Sequence, residues 1–344
     1  MTSGRSAGIL AALLLVAVPA AARAGEPVAP IDIVAALPPR AGAGAASAVL
    51  VGRAGQIYGA VAPGRWQRRI GGGVAVDLRA AVPASSTTDE VFAIGADSPP
   101  YHFQAGAWRA EPLGNRGPAA LSMSGPLPAL AIGRHIYTLD GAVWVRRASA
   151  AHRVTAAWAA APGTIVLATA EGPVARWDGR RFATVRTPLP AADPIVELVG
   201  ASPAALYGRA RSGAWLRIDR ASCARLTPVR ELAGFEEHAA GPGPDGRLWL
   251  AGTLPGAGGA RRTVLARADR DRLVLAAELP PLGAGDRVTV VLGHPPTAEV
   301  LVATRAGVVR IRDKRGTWTE GSASGALPAP PPRRGAPGAP ARTR

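Results

Sequence analysis

The chain has 344 residues, 40 of them basic and 24 acidic, a formal charge of +16, and one cysteine. A lone Cys223 excludes an intramolecular disulfide, so burial alone must hold the fold, and we interpret Cys223 as a small buried hydrophobic residue. The basic balance favours anionic partners, but six of the positive charges lie in the predicted leader and tail, which leaves +10 for the rest. Export and the lack of a recognisable module argue against nucleic-acid binding.

Residues 1–24 have the three parts of a secretory signal peptide. Arg5 precedes an apolar run from Ile9 to Val18, and small residues end the segment at Ala22-Arg23-Ala24. The run is shorter than the about 20 residues that a membrane-spanning helix needs, and no later run approaches that length. We therefore predict cleavage after Ala24, an N-terminal segment over 25–30, and a periplasmic or secreted protein that does not span a membrane.

A short β-rich run that ends in Gly or Thr recurs along residues 31–321. We call these the anchor runs: VLVG (49–52), FAIG (92–95), LAIG (130–133), VLAT (166–169), ALYG (205–208), WLAG (249–252) and LVAT (301–304). Their last residues lie 36 to 52 positions apart. That is the period of a four-stranded propeller blade, and the units show no helix-length apolar periodicity.

Three further strands are predicted around each anchor run. Inner strands precede the anchor runs at 32–37, 74–78, 120–124, 153–158, 195–199, 232–237 and 288–292. A third strand, a turn and an outer strand follow, and each outer strand carries one large or apolar residue: Trp66, Trp108, Trp144, Phe182, Cys223, Leu273 and Trp318. Asp140-Gly141 and Asp178-Gly179 are hairpin signals, because Gly accepts the positive φ of a tight turn. The pattern predicts an all-β fold, a single seven-bladed β-propeller of four-stranded antiparallel blades.

The sixth unit contains the stretch GPGPDGRLWLAGT at 241–253. It resembles the ligand-sensing propeller repeats of bacterial two-component regulators and is similar to repeats of streptogramin-lyase-like propellers. The lyase-like enzymes would imply catalytic His and acidic side chains beside a metal, and no such constellation matches here. The densest polar cluster is Glu236-Glu237-His238, in which at most Glu236 and His238 share a face of a strand, and we interpret it as a solvated loop.

From Ser322 to the end, residues 322–344 are rich in Pro, Ala and Arg, so a disordered tail is predicted. The sequence shows no catalytic motif, no cofactor loop and no metal-ligand spacing. We predict a non-enzymatic binding or scaffold module whose partner is a protein or an anionic polysaccharide. The alternative is a propeller hydrolase or lyase for a polysaccharide or small molecule, with a site assembled from distant loops.

Arginine recurs directly after the anchor runs. The four positions are Arg53, Arg134, Arg209 and Arg305. Loops after the second strand of each blade open on one face of a propeller, so these side chains are predicted to converge around one mouth of the central channel. Guanidinium groups suit the bidentate capture of carboxylate, sulfate or phosphate, which makes the four arginines a candidate anion or partner site. The alternative is that each is solvated or paired with a neighbouring acid.

Overall fold

The computed structural model of the protein describes residues 31–37, 48–62, 64–71, 77–83, 90–95, 99–111, 113, 119–122, 125, 127–141, 143–243, 245–256, 259–294 and 299–324. Regular structure in these ranges is β-strand, apart from a 3-10 turn at Arg230–Leu232. None of their helical structure has the length and hydropathy to cross a bilayer. The predicted signal peptide, residues 25–30 and residues 325–344 of the predicted tail lie outside the described residues.

The strands follow one another in antiparallel sets of four. The first two sets are β1 (Ile33–Leu37), β2 (Val49–Gly52), β3 (Gln56–Ala62) and β4 (Arg65–Gly71), then β5 (Leu78–Pro83), β6 (Val91–Gly95), β7 (Tyr101–Gln104) and β8 (Ala107–Ala110). The next two are β9 (Ala119–Ser122), β10 (Ala129–Ile132), β11 (His135–Asp140) and β12 (Val143–Ser149), then β13 (Val154–Ala161), β14 (Thr164–Thr169), β15 (Val174–Trp177) and β16 (Phe182–Val185).

The C-terminal half continues this order. Its strands are β17 (Ile195–Ser202), β18 (Ala205–Ala210), β19 (Trp215–Ile218), β20 (Cys223–Arg225), a short β21 (Thr227–Pro228), β22 (Glu236–Pro242), β23 (Leu248–Pro255), β24 (Arg261–Asp269), β25 (Arg272–Glu278), β26 (Val288–His294), β27 (Glu299–Thr304), β28 (Val308–Arg312) and β29 (Trp318–Ser324). Strand β21 extends its sheet by pairing in parallel with β25. Strands β4 and β29 also pair in parallel, so the first and last sets form one eight-stranded sheet.

The apolar residues of every anchor run lie on the second strand of a set. These strands are buried on both faces, and all residues of β6 and β10 are buried. Burial on both faces explains why the anchor runs are continuously apolar and do not alternate with polar residues. The large cores lie between neighbouring sets, for example where Trp158 of β13 and Ile195 of β17 belong to one buried cluster.

Three predicted boundaries differ from the structure. The inner strand predicted at 74–78 overlaps β5 only at Leu78, where β5 begins, and residues 74–76 lie outside the described residues. The inner strand predicted at 232–237 is β22, which begins at Glu236. Leu232 is the last residue of the 3-10 turn and is buried there, so the predicted strand began too early because an apolar turn residue was assigned to it. The last strand continues to Ser324 and not to residue 321, because Ser322 to Ser324 pair with Arg65 to Gln67 of β4.

Cys223 begins the outer strand β20 and is half-buried among apolar side chains. Burial raises the pKa of its thiol to about 11, an effect that Arg176 only partly opposes. Because the thiolate is the reactive form, we expect alkylation of the native protein by iodoacetamide at pH 8 to be roughly 100-fold slower than that of an unperturbed thiol. Mass spectrometry of native and guanidinium-unfolded protein checks this, and native and unfolded rates within tenfold of each other would contradict it.

Candidate functional site

A cavity of about 590 Å³ lies where the inner strands of several sets meet, and we call it the central cavity. Its walls come from Gly125, Arg209, Gly243 and five inner strands: β1, β5, β17, β22 and β26. Each of these strands is the last of its sheet on the inner side, so its inner edge has no neighbouring strand to pair with. Most of the lining side chains are small, being Ala, Gly or Val.

A β-bulge recurs near the start of the inner strands. One extra residue interrupts the pairing with the second strand in six sets, at Val34, Arg79, Thr155, Val196, His238 and Thr289. A bulge re-aims the side chain that it carries. Four of these residues line the central cavity: Val34, Arg79, His238 and Thr289. The bulges therefore orient these four side chains toward the cavity.

Charged side chains interrupt this wall where β17, β18 and β22 approach each other. Arg209 Nε donates a hydrogen bond to Glu197 Oε2 at 2.8 Å and lies 3.6 Å from Glu237 Oε1. The indole Nε1 of Trp215 donates to the other oxygen of Glu237, Oε2, at 2.5 Å. We call Glu197, Arg209 and Glu237 the charge cluster, and all three line the central cavity.

The other sets that share the bulge carry apolar residues at the positions of the charge cluster. Before the bulge, the residues equivalent to Glu237 are Ile33, Leu78, Val154, Ile195 and Val288. After the bulge, the equivalents of Glu197 are Ala35, Ala80, Ala156, Ala239 and Val290. On the second strand, the equivalents of Arg209 are Val51, Ile94, Ala168, Ala251 and Ala303. Among the six sets with a bulge, charge at these positions is thus confined to the neighbouring sets that form the cluster.

Burial dominates the electrostatics of the charge cluster. It raises the pKa of Glu237, although the Trp215 hydrogen bond and Arg209 oppose the shift. Burial would lower the pKa of Arg209, but Glu197 and Glu237 outweigh it and the pKa is raised. Burial and Arg287 lower the pKa of His238. When both carboxylates are ionised, the cluster carries two negative charges against one guanidinium.

Two of the four arginines predicted from the sequence meet at one carboxylate. Arg53 Nε donates to Asp32 Oδ2 at 2.6 Å, and Arg305 Nε lies 3.8 Å from Asp32 Oδ1. The Asp32 backbone also joins the two loops, since its N–H donates to the Arg305 carbonyl and its carbonyl accepts from the Arg53 N–H. Asp32 has a φ of 46°, a left-handed conformation that Asp tolerates better than most residues. Arg53 and Arg305 thus tie the first and last sets together through Asp32.

The other two arginines occupy different places. Arg209 lies inside β18, and the structural equivalent of Arg53 and Arg305 is Arg211, whose N–H donates to the Pro194 carbonyl. The prediction was two residues out of register because Gly208 ends the ALYG run but not the strand. Arg134 is exposed in the two-residue turn between β10 and β11 and has no ion-pair or hydrogen-bond partner for its side chain among the described residues. Capture of an anion by these four residues stays a prediction.

The interpretation of Glu236-Glu237-His238 as a solvated loop is wrong. These residues begin the inner strand β22, and only Glu236 is solvated, where it pairs with Arg261 Nη2 at 2.5 Å. The bulge at His238 breaks the alternation of faces that the sequence argument assumed, so Glu237 and His238 both line the cavity. A comparison of the repeats could have identified Glu237, because it is charged where the inner strands of the other bulged sets carry Ile, Leu or Val.

No group of three or more His, Cys, Asp or Glu side chains among the described residues is arranged to hold a metal ion. No protein-family model matches the chain, and no curated protein matches its sequence. Solved structures do match. A structure of YCF48 bound to D1 peptide is 15% identical with a TM-score of 0.50, over 71% of this chain and 80% of that one. The WD40 β-propeller domain of Doa1 is 12% identical with a TM-score of 0.54, over 81% of this chain and 92% of that one.

At these identities the similarity shows the fold alone, and the chain has an all-β propeller fold. The predicted fold class is confirmed at that level. The narrower resemblance to two-component-regulator and streptogramin-lyase-like repeats stays a prediction.

Proposed function

We propose that the protein is an exported, non-enzymatic binding module, a single seven-bladed propeller whose central cavity receives an extended segment of a partner protein. The strand order supports the blade count. The eight-stranded sheet consists of two antiparallel sets of four, and the strand pairing between these sets is limited to three residue pairs between β4 and β29. Counting these two sets as separate blades, with the other five sheets as one blade each, gives seven.

The observation that carries the proposal is the cavity wall itself. Small side chains and unpaired inner strand edges line most of it, and one charge cluster replaces the apolar residues found elsewhere. A volume of about 590 Å³ is within the usual range for ligand sites and has room for several peptide residues. Free strand edges offer main-chain hydrogen bonds to an extended chain. By analogy only, the YCF48 structure was solved with a peptide bound.

A substitution that fills the cavity tests this proposal. Val34 occupies the bulge position of the first set. The equivalent position holds Arg79 in the second set and His238 in the sixth, so it accommodates a large side chain. We expect peptides selected from a random dodecapeptide display library on the wild-type protein to bind the V34W variant at least tenfold more weakly. The matched control is A183W, which adds the same ring to an exposed position of β16 and should bind as the wild type does.

Fluorescence anisotropy measures each dissociation constant, and circular dichroism establishes that both variants are folded. Equal binding by V34W and A183W would contradict a site in the cavity. A library that yields no peptide with affinity for the wild type would contradict the binding of a peptide segment altogether.

A further inference from the structure

We infer that the charge cluster is the receptor for one cationic side chain, a lysine or arginine of the segment that enters the central cavity. The inference rests on the proposed function and adds to it the chemistry of the ligand. Three features of the cluster carry it: its place at a junction that borders the cavity, the carboxylate acceptors that are unfilled among the described residues, and the sign of its charge.

The charge cluster lies at the junction of two neighbouring inner strands. Strands β17 and β22 contact each other less extensively than β13 contacts β17 or than β22 contacts β26. Val199 of β17 and Ala240 of β22 pack in one apolar cluster at this junction, and beside them Glu237 reaches across from β22 to Arg209 of β18 and Trp215 of β19. The junction borders the central cavity, because Glu197, Arg209 and Glu237 all line it.

The carboxylates of the cluster have more acceptor capacity than the described part of the chain fills. Arg209 Nε has one hydrogen, which it directs to Glu197 at 2.8 Å, so the 3.6 Å contact with Glu237 Oε1 is an ion pair without a hydrogen bond. The side chains of Glu197 and Glu237 are only 34% and 22% exposed, which limits how far water can serve them. Partly buried carboxylates need donors, and an ammonium supplies three and a guanidinium five.

The sign of the charge favours a cation over an anion. An anion on the outer nitrogens of Arg209 would approach two carboxylates that already flank that guanidinium, and like charges at short range repel. Arg79 of β5 also lines the cavity, but its side chain is exposed and makes no ion pair with Glu197 or Glu237 among the described residues. At the cluster itself, two carboxylates therefore face one guanidinium. Burial also raises the pKa of Glu237, against the opposing effects of Trp215 and Arg209.

Capped peptides of one length test the inference on the full mature protein. The probes are acetylated, amidated octapeptides of Ala, Gly and Ser with a fluorophore at one end and Lys, Arg, Gln, Leu or Glu at the centre. At pH 7 we expect the Lys and Arg peptides to bind at least tenfold more tightly than the Gln and Leu peptides. The double variant E197Q/E237Q should lose this preference, because Gln keeps the shape and an acceptor for Trp215 but removes the charge.

The matched control is E236Q, which removes one negative charge from the same strand at an exposed side chain paired with Arg261. It should keep the tenfold preference. Lowering the pH should weaken binding of the Lys peptide at a higher pH than the ordinary titration of an exposed Glu would, because the pKa of Glu237 is raised.

Each remaining outcome overturns a defined statement. If the Glu peptide binds the wild type most tightly, the receptor is for an anion and the inference is wrong. If all five peptides bind alike and V34W weakens all of them, the cavity binds peptides without choosing a cation, and the proposed function stands alone. If no octapeptide binds the wild type although a peptide from the display library does, the inference is wrong and the proposed function stands.

Discussion

Replacing Trp158 by alanine is expected to lower the free energy of unfolding by about 4 kcal/mol. Trp158 lies on β13, is completely buried and belongs to the apolar cluster shared with β17 of the next set. Its indole Nε1 donates to the Gly200 carbonyl at 2.8 Å, so the side chain joins two sets by packing and by a hydrogen bond. The loss combines a cavity in the core with a buried carbonyl left without its donor. Urea unfolding followed by circular dichroism measures it.

Two further variants separate the contributions of Trp158. W158F keeps most of the ring volume but loses the N–H, so it should cost roughly 1–2 kcal/mol. W177A removes a tryptophan that is only half-buried and stacks at a tilt on Phe182, and its cost should be clearly smaller than that of W158A. If W177A costs as much as W158A, complete burial and the hydrogen bond to Gly200 do not account for the loss.

Replacing Arg310 by methionine is expected to lower the free energy of unfolding by about 3 kcal/mol. The Arg310 side chain on β28 is only 5% exposed. It donates to the carbonyls of Pro280 and Pro281 and, through Nε and Nη2, to Glu320 Oε2 at 3.0 and 2.8 Å. Glu320 is 61% exposed and can be hydrated after the change, so most of the loss comes from the proline carbonyls and the packing around them.

Arg312 provides the matched control for Arg310. It lies two residues away on β28, and R312M removes the same charge without touching the Pro280-Pro281 segment, so the cost should stay below about 1 kcal/mol. Chemical denaturation of both variants in parallel measures the difference. Equal costs for R310M and R312M would show that net charge, and not the contacts of Arg310 with the connection to β26, accounts for the loss.

Much of the fold could be predicted from local sequence. The anchor runs are continuously apolar because the second strand of every set is buried on both faces, a demand that each repeat meets on its own. The turns were also predictable from local sequence, since Gly141 and Gly179 have the positive φ that their hairpins require. The predicted boundary at 232–237 failed where an apolar residue, Leu232, is buried by a turn and not by a strand.

The charge cluster could not be predicted from any single repeat, because its residues come from two neighbouring sets. Glu197 and Arg209 face each other across one strand pair, but Glu237 and Trp215 come from different sets and meet only because neighbouring sheets pack side by side. The bulge at His238 changes which side chains of β22 face the cavity. Glu236, which was expected to share a face with His238, is exposed, whereas Glu237 lines the cavity. Likewise, Arg53 and Arg305 are 252 positions apart in the sequence and share Asp32 only because the first and last sets adjoin.

The sequence by itself determined the strand class, the repeat period and the turns, because burial on two faces and positive φ are local requirements that each repeat must satisfy. Only the tertiary structure decided which charged side chains meet, which of them lose their water and which acceptors stay unfilled. Those properties depend on distances between different sheets and on where a bulge shifts the register, and neither quantity is encoded in the spacing of residues along one strand.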